Sequence, residues 1–493
     1  MGSQTKDYNV VAIGAGAAGL ITTAAVSGLG GKAALIERHK MGGDCLNYGC
    51  VPSKGLISSA RLIQRIRESE HWGLEKHEPR FELQKVFASM RNKRAAIEPN
   101  DSQERYESLG VDVQRGEARF RSPHEVEVNG EILRGRFIVI SAGSRAVVPE
   151  VEGLDQVRYF TNETIFDRLD FTPSSLLVVG GGPIGCELGQ VFQRLGVRVT
   201  ICQRPSQILE REDPDVAAAL HSRLETEGVT IRTNRTVARF RSRDGRAVAM
   251  LEPSGDQEGS ETEEVEADAV LIAAGRTPNI EKLNLEAAGV RHHRRGIEIN
   301  AHLQASHPHI FAAGDIAGGY QFTHLSDHHA RIIVENIIRS MIPPLRWLGM
   351  LARADTSVLP WCTYTGPEIA RVGLNETEAK KTKVEYDVFR VELQHVDRYI
   401  LEREAEGFVK VVAEKKTGRI LGATIVGESA GELIHEFAVA MKNGISLGKI
   451  ASTIHAYPSR SEAVRRAGDA FNRTRLTAGR KKFLEGLFRR NIR

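Results

Sequence analysis

Cys45 and Cys50 are separated by four residues, and they are the side chains of this sequence best suited to redox chemistry. Zinc sites with a Cys pair usually have a second Cys or His pair at similar spacing, and none lies nearby. A purely structural disulfide would be unusual in a reducing cytosol. Cys50 also lies just ahead of a predicted helix, from residue 53 to about residue 70, whose dipole stabilises a thiolate. The pair is therefore interpreted as a reversible dithiol and disulfide.

A dinucleotide-binding fingerprint lies upstream of this pair. Residues 8–13 form an apolar, β-branched run typical of a buried parallel strand, and Gly14, Gly16 and Gly19 follow it. The first glycine makes the turn, the second lets the backbone approach a pyrophosphate, and the third lets the helix pack on the strand. Glu37 ends the next apolar run, where its carboxylate would accept hydrogen bonds from ribose hydroxyls.

The same fingerprint recurs downstream, with the glycines Gly180, Gly182 and Gly185. Two copies imply two nucleotide sites, and enzymes with two such sites usually hold a flavin and a nicotinamide. The position that matches the acidic residue is Gln203 here, and Arg204 follows it. Arg204 is either the partner of a 2′-phosphate or a solvated surface arginine. The loss of the carboxylate favours NADPH, with NADH as the alternative.

Residues 42–54 read GGDCLNYGCVPSK and lie between the two fingerprints. This stretch resembles the flavoprotein disulfide reductases, which include dihydrolipoyl dehydrogenase, glutathione reductase and mercuric reductase. The resemblance extends to about residue 470. Its further matches are VISAG at 139–143, AAGRTPN at 273–279, IFAAGD at 310–315 and TGPEIARVGL at 365–374.

The resemblance implies an α/β fold with two Rossmann-like dinucleotide-binding domains and a C-terminal α+β dimerisation domain. By this likeness residues 1–158 and 277–350 form the FAD domain, and 159–276 the NAD(P) domain. Residues 351–470 form the dimer interface, and 471–493 are a basic amphipathic tail. The implied protein is a homodimer that carries FAD and uses NADPH or NADH.

The resemblance also implies roles for individual residues. Cys50 matches the thiol nearer the flavin, which forms a charge-transfer thiolate, and Cys45 matches the exchange thiol that meets the substrate. Lys54 matches the lysine near flavin N5, and Glu187 is either its ion-pair partner or a plain helix-surface residue. Asp315 matches the aspartate that holds the ribityl chain. The other cofactor-binding positions in the shared motifs are Gly43, Gly143, Gly275 and Arg276.

The C-terminal signature departs from the family pattern. In the lipoyl and glutathione enzymes, the histidine that serves the thiols as acid and base stands directly before a proline, and a glutamate five residues later orients it. Here Tyr457 precedes Pro458, whereas Glu462 is retained. A phenol with a pKa of about 10 is a poor proton shuttle at neutral pH. His455 would share a face with Tyr457 in an extended strand, as a replacement base or as a packing residue.

Mercuric reductases also carry a tyrosine at this end of the chain, and metal reduction needs thiolates more than proton delivery. However, no cysteine follows Cys362, and the first fingerprint begins at Gly14, without an N-terminal metal-binding domain. Both features argue against specific mercury reduction. His324 stands where mercuric reductases have a tyrosine, and it is an acid, a soft metal ligand or a plain helix N-terminal residue.

These features predict an FAD-dependent enzyme that passes electrons from NADPH through Cys45 and Cys50 to a metal ion, a quinone or another soft acceptor. One alternative is a dihydrolipoyl-dehydrogenase-type reductase in which His455 or a partner-chain residue replaces the missing base. The other is a flavin redox sensor or binding module with little turnover.

The chain has 493 residues, 41% of them hydrophobic and 26% charged, which excludes a disordered protein. Six cations and one carboxylate give residues 480–493 a net charge of +5, against +4 for the whole chain, so no nucleic-acid surface is predicted elsewhere. The sequence has neither a signal pattern nor an apolar run of membrane-spanning length, which favours the cytoplasm.

The C-terminal tail combines the six cations of residues 480–493 with apolar residues on one helical face, which suits an anionic membrane or packing within the dimer. Its apolar residues are Phe483, Leu484, Leu487 and Phe488.

Overall fold

The computed structural model describes residues 5–254 and 261–491, apart from the side chains at positions 346 and 347. The fold is mixed α/β, as the resemblance implied, and the chain divides into two compact units. The first unit holds Met1–Arg204 and Val229–Asp355, and the second holds Pro205–Gly228 and Thr356–Arg493.

The first fingerprint follows a strand in the middle of a seven-stranded sheet. Thr5–Ile13 pairs in parallel with Ala33–Glu37 on one side and with Glu131–Ile140 on the other. The strand begins three residues earlier than predicted, because residues 5–7 find partners at 132–134. Parallel pairing brings the ends of these strands to one sheet edge, which is where the Gly14 loop and Glu37 lie. The other strands are Val111–Arg115, Arg119–Ser122, Glu125–Val128 and Ile310–Ala312.

The second fingerprint follows the strand Ser175–Val179, which lies in the middle of a five-stranded, all-parallel sheet. Its strand order is Thr230–Arg232, Arg198–Cys202, Ser175–Val179, Ala269–Ile272 and Tyr159–Phe160. The strands predicted at 176–179 and 197–202 are observed to within one residue. They read as continuous apolar runs because both faces of a parallel sheet are covered.

The first unit also contains a three-stranded antiparallel sheet and two short strand pairs. These strands are Arg235–Arg243, Arg246–Pro253 and Glu263–Ala267, then Ser144–Ala146 with Arg276–Pro278, and His292–His293 with Gly296–Ile297. Its α-helices are Ala17–Gly28, Gly43–Asn47, Cys50–Arg67, Leu83–Ile97, Gln103–Ser108, Asn162–Arg168, Pro183–Arg194, Thr323–Met341 and Pro343–Trp347. Its 3₁₀ helices are Ser69–Trp72, Glu98–Asp101, Leu154–Gln156, Leu285–Ala288 and Gly314–Ala317.

The second unit is α+β and is built on a five-stranded antiparallel sheet. The strand order is Pro360–Thr363, Glu368–Gly373, Ile420–Gly427, Phe408–Glu414 and Tyr386–Glu392. Its helices are Pro214–Thr226, Glu376–Ala379, Leu393–His395 (3₁₀), Asp397–Leu401, Ala430–Lys442, Leu447–Ser452, Glu462–Thr474 and Ala478–Arg490. The central strand Ile420–Gly427 is buried along its whole length, as expected for a strand between two others under a helical layer.

None of the helices in the described ranges combines the length and the apolar character needed to cross a membrane.

Candidate active site

The two cysteines lie at the start of the helix Cys50–Arg67 and in the short helix Gly43–Asn47. The longer helix starts three residues before its predicted beginning, so Cys50 stands in its first turn, where backbone N–H groups have no helical partner. Both cysteines are free thiols in the structure, Cys45 half-buried and Cys50 exposed. Gly43 has a φ of 58°, and a Cβ there would lie 2.7 Å from the Cα of Gly16. This close approach holds the cysteine segment against the first fingerprint loop.

The surroundings of the thiols favour a thiolate on Cys50. A hydrogen bond from the Cys45 thiol, the Lys54 charge and the Thr323 hydroxyl lower the pKa of Cys50 to about 6, against the opposing effect of desolvation. The same hydrogen bond, together with burial, raises the pKa of Cys45. Thr323 is the first residue of the helix Thr323–Met341, and its Oγ1 lies 3.5 Å from the Sγ of Cys50. The reduced pair therefore consists of a thiolate at Cys50 and a thiol at Cys45 near neutral pH.

Lys54 and Glu187 form an ion pair, with 2.8 Å between Nζ and Oε2. Glu187 lies in the helix Pro183–Arg194, which follows the second fingerprint, and it is buried rather than on the helix surface. Lys54 stands one turn after Cys50 on the thiol helix. A fixed cation at this point stabilises negative charge that develops close to the thiols.

The glycines of the first fingerprint have the geometry that a bound pyrophosphate requires. A Cβ at Gly14 would lie 2.4 Å from the carbonyl oxygen of Ser141, and one at Gly19 would lie 1.9 Å from that of Gly14. A Cβ at Gly16, in contrast, would meet none of the described residues within 4 Å. The contacts at Gly14 and Gly19 hold strand and helix together. Gly16 keeps the loop open on the side where phosphate oxygens would lie.

A cavity of about 380 Å³ continues from this loop, and Gly14, Glu37, Ala142 and Lys282 are among its lining residues. The Glu37 carboxylate accepts hydrogen bonds from the N–H groups of Ala15 and His39, each at 2.7 Å. A carboxylate has about four acceptor sites, so lone pairs remain for ribose hydroxyls. The open loop, the cavity and the Glu37 carboxylate within it fit an FAD adenosine moiety.

The second fingerprint repeats this geometry closely. A Cβ at Gly180 would lie 2.3 Å from the carbonyl oxygen of Ala273, and one at Gly185 would lie 1.9 Å from that of Gly180, while Gly182 has open space. The side-chain oxygen of Gln203 accepts a hydrogen bond from Gly181 N–H at 2.7 Å, the same bond that Glu37 makes in the first copy. Gln203 thus supports the loop without a negative charge. Arg204, the next residue, is exposed.

Asp315 and Arg276 meet through Ser144. The Ser144 hydroxyl donates to Oδ2 of Asp315 at 2.5 Å, and Nε of Arg276 donates to the same hydroxyl at 2.8 Å. Arg276 also pairs with Asp44, next to Cys45, at 3.0 Å. Burial raises the pKa of Asp315, although Ser144 and Arg276 oppose this. Gly143 and Gly275 border this network with positive φ and open space beside them.

His324 is exposed and stacks on Phe322, with 5.3 Å between the ring centroids and 14° between the planes. Phe322 in turn stacks on Tyr320, with centroids 6.1 Å apart. His324 thus belongs to a group of stacked aromatic rings next to Thr323, the residue that contacts Cys50.

The three C-terminal residues lie in the second unit and have separate partners there. The Tyr457 hydroxyl donates to Asp397 at 2.7 Å, and this hydrogen bond raises the pKa of the phenol. His455 is not in a strand; its Nδ1 contacts the carbonyl of Thr453, and its Nε2 lies 2.9 Å from a carboxylate oxygen of Glu436.

Glu462, at the family's orienting position, accepts hydrogen bonds from Arg466 and Arg465. His455, the predicted replacement base, is therefore not paired with Glu462.

Thr323 is a site residue that the sequence did not predict, and Ser144 adjoins the family match at 139–143 without a predicted role. Thr323 is 273 residues from Cys50, and Ser144 is 171 residues from Asp315. Ser144 directly follows a shared motif, which is the one pattern that points to it. Thr323 directly precedes His324, but no spacing rule connects a lone threonine to a distant thiol.

Comparison with known proteins assigns this fold and site to a family. Residues 8–330 match the pyridine nucleotide-disulphide oxidoreductase model, and residues 359–468 match the dimerisation domain of the same family. The chain belongs to this family, whose members are FAD-dependent enzymes that use NAD(P)H. The suspected family is thus confirmed.

The relatives carry the names of two different enzymes. Mercuric reductase of Lysinibacillus sphaericus is 31% identical over 468 residues, which cover 95% of this chain and 83% of the relative. Dihydrolipoyl dehydrogenase of Thermus scotoductus is 33% identical over 470 residues, covering 95% and 98%. Among solved structures, the Cu(II) complex of the HOCl-induced flavoprotein disulfide reductase RclA from Escherichia coli has a TM-score of 0.80. It is 26% identical and covers 93% of this chain and 98% of its own.

Proposed function

We propose that this protein is a cytoplasmic, homodimeric NADPH oxidoreductase that passes electrons through Cys45 and Cys50 to a soft metal ion. Cu(II) is the first candidate, Hg(II) is the second because two sequence features argue against specific mercury reduction, and quinones are a further acceptor class. The domain organisation that we propose is the one that the resemblance implies, with FAD on the first fingerprint and NADPH on the second. The match to the family's dimerisation domain supports the homodimer.

The observation that carries the choice of acceptor is Tyr457. A disulfide substrate needs a proton for the thiol that leaves, and a nearby imidazole supplies it at neutral pH. Tyr457 occupies that position with a phenol whose pKa is raised further by Asp397. His455 has both ring nitrogens in contact with other groups. A metal ion needs no such proton, because its product leaves as the reduced metal.

The thiol pair suits a soft cation. Thiolate sulfur is the preferred ligand of soft metals, and the low pKa of Cys50 keeps one thiolate available at neutral pH. Bound FAD supplies two-electron chemistry between the nicotinamide and the disulfide. Lys54, fixed by Glu187, stabilises negative charge at this point, and the fingerprint loops and Asp315 position the cofactors.

The electrons balance for this acceptor class. Hydride equivalents from NADPH open the Cys45–Cys50 disulfide to the thiolate of Cys50 and the thiol of Cys45, with no further proton needed. When this pair closes to the disulfide again, its two electrons reduce two Cu(II) ions to Cu(I), or one Hg(II) ion to Hg(0), and one proton leaves. The names of two relatives support this choice, since one is a mercuric reductase and another was solved as a Cu(II) complex.

An anaerobic acceptor panel tests the proposal. NADPH oxidation by the holoenzyme is measured with Cu(II), Hg(II), a soluble quinone, lipoamide and glutathione disulfide. We expect kcat/KM for a metal ion to exceed that for either disulfide by at least about tenfold, since the acid–base histidine is replaced. Faster turnover of lipoamide than of the metals would contradict the proposal. Absence of turnover with all five acceptors would contradict it too, in favour of a redox sensor.

The second candidate is a dihydrolipoyl-dehydrogenase-type reductase. Its support is the 33% identity over 98% of a dihydrolipoyl dehydrogenase. In that case a base other than Tyr457 would serve the thiols, and the lipoamide arm of the panel would give the fastest turnover.

A further inference from the structure

The C-terminal helix Ala478–Arg490 has no buried residue, in contrast to the other long helices of the second unit. Thr477 caps its N-terminus, and the Thr477 side chain accepts a hydrogen bond from the N–H of Arg480 at 3.4 Å. Its four large apolar side chains are exposed, and we call them the apolar stripe. They are Phe483 (67% exposed), Leu484 (41%), Leu487 (40%) and Phe488 (70%).

The helix geometry gathers the large apolar side chains on one side of the helix. At 3.6 residues per turn, the apolar stripe covers an arc of about 140°. Lys481 and Arg490 fall at the two edges of this arc, and Lys482 and Arg489 fall on the opposite side with Glu485. Arg480, in the first turn, falls within the arc, and its Nη1 donates a hydrogen bond to the carbonyl oxygen of Arg475 at 3.2 Å. Long cationic side chains at the edges of an apolar face can reach up to phosphates while their stems cover apolar surface.

We propose that this helix binds the surface of an anionic phospholipid membrane. The apolar stripe would enter the boundary between headgroups and acyl chains, and the flanking cations would contact lipid phosphates. The helix would lie in the plane of the interface, so the enzyme would be held at a membrane without spanning it. This inference does not depend on which acceptor the thiols reduce.

Charge and composition favour a membrane over other partners. Two copies of this helix packed together would bring two segments of net charge +4 into contact, which is repulsive. A nucleic acid would pair with the cations but would leave Phe483 and Phe488 exposed. Only a partner with both an anionic surface and an apolar interior satisfies both faces of the helix.

Vesicle flotation of the full-length holoenzyme tests the inference. The probes are vesicles of phosphatidylcholine alone and vesicles with 30% phosphatidylglycerol. We expect the apparent affinity to be at least tenfold higher for the anionic vesicles and to fall at high salt, because each cation near such a surface contributes about fivefold.

Three variants separate the two faces of the helix. The double change Phe483→Ser and Phe488→Ser should reduce binding at least tenfold at unchanged charge. The double change Lys481→Gln and Arg490→Gln, at the two edges of the apolar arc, should remove the preference for anionic lipid. The control Glu485→Gln lies on the same exposed helix and should bind as well as the original protein or better. All three should keep the original rate of NADPH oxidation, because none of these residues belongs to the thiol site.

Equal binding to neutral and anionic vesicles, or none to either, would overturn the inference. The inference would also be overturned if the phenylalanine variant bound lipid normally and light scattering showed a changed oligomeric state. The apolar stripe would then be a subunit contact.

Discussion

Cys50 receives three separate influences on its sulfur, each from a different part of the chain. Cys45 donates a hydrogen bond from the neighbouring short helix, Lys54 contributes a charge from one turn further along the same helix, and Thr323 contributes a hydroxyl from a helix 273 residues away. Because each contribution favours the thiolate, removal of any one should raise the pKa of Cys50 without abolishing the fold.

Thr323→Val is the most selective test at this scale. Valine keeps the shape of threonine but removes the hydroxyl, so we expect the pKa of Cys50 to rise from about 6 by about one pH unit. The measurement is the pH dependence of iodoacetamide labelling of Cys50 in the reduced holoenzyme, followed by peptide mass spectrometry. Thr323→Ser, which retains the hydroxyl, is the matched control. An identical labelling midpoint for the two variants would show that the 3.5 Å contact does not act on the thiolate.

At the scale of elements, the two strand–loop–helix units have the same construction and differ in one charge. The first glycine of each lies against a backbone carbonyl, the third against the first, and the middle glycine beside open space. A side-chain oxygen then accepts from the loop, from Glu37 in one copy and from Gln203 in the other. We expect the shared geometry to set where each dinucleotide binds and the different charge to affect which nicotinamide nucleotide the second copy prefers.

Gly16→Ala should weaken FAD binding without unfolding the protein. A methyl group at this position meets no atom of the described chain within 4 Å, so its cost falls on the pyrophosphate alone. We expect the FAD content after dialysis to fall at least severalfold while the apoprotein keeps its melting temperature. Gly28→Ala is the control, since a methyl group there has the same open space but lies at the far end of the same helix. Equal FAD content in both variants would mean that Gly16 does not face the cofactor.

Gln203→Glu should reduce the preference for NADPH. The new carboxylate can make the same bond to Gly181, but it would repel a 2′-phosphate. We expect the ratio of kcat/KM for NADPH to that for NADH to fall by about tenfold, which corresponds to about 1.4 kcal/mol. The control Gln156→Glu makes the same charge change at an exposed site. An unchanged ratio would place the specificity outside this position.

At the scale of the whole molecule, charged groups are buried where distant segments meet. In the second unit, Lys410 has only 4% of its side chain exposed and lies 2.8 Å from Asp213 and 2.6 Å from Asp215. Burial alone would raise the pKa of Asp213, but Lys410 and Thr377 lower it to about 2. These contacts tie the segment Pro205–Gly228 to the C-terminal sheet, whose Lys410 is 195 residues from Asp215.

Lys410→Met should destabilise the second unit by about 3–5 kcal/mol, because it leaves Asp213 without its cation. In the original protein, the pKa of Asp213 is lower in the folded state than in the unfolded state. Its contribution is therefore complete above about pH 4 and is lost as the pH falls towards 2. Urea unfolding at pH 7 and at pH 3 measures both effects. The exposed Lys416→Met serves as control, and equal midpoints for the two variants would contradict a stabilising role for this network.

The sequence predicts the local motifs of this protein better than the contacts between distant segments. Local spacing was sufficient for both fingerprints, for the cysteine pair and for the helix that carries Cys50, although that helix begins three residues early. The Lys54–Glu187 pair spans 133 residues and was available only through the family resemblance. The contacts of Thr323 and Lys410 depend on tertiary packing between segments with no shared pattern, and for this reason neither residue was predicted.

The most direct test of electron flow through the thiols is anaerobic Cu(II) reduction by the holoenzyme and by its Cys45→Ser variant. Formation of Cu(I) and oxidation of NADPH are followed together. We expect two Cu(I) ions per NADPH in the original protein and a rate lower by at least about 100-fold in the variant, whose bound FAD should still be reduced by NADPH. Undiminished Cu(II) reduction by Cys45→Ser would contradict the proposal that electrons leave through Cys45 and Cys50.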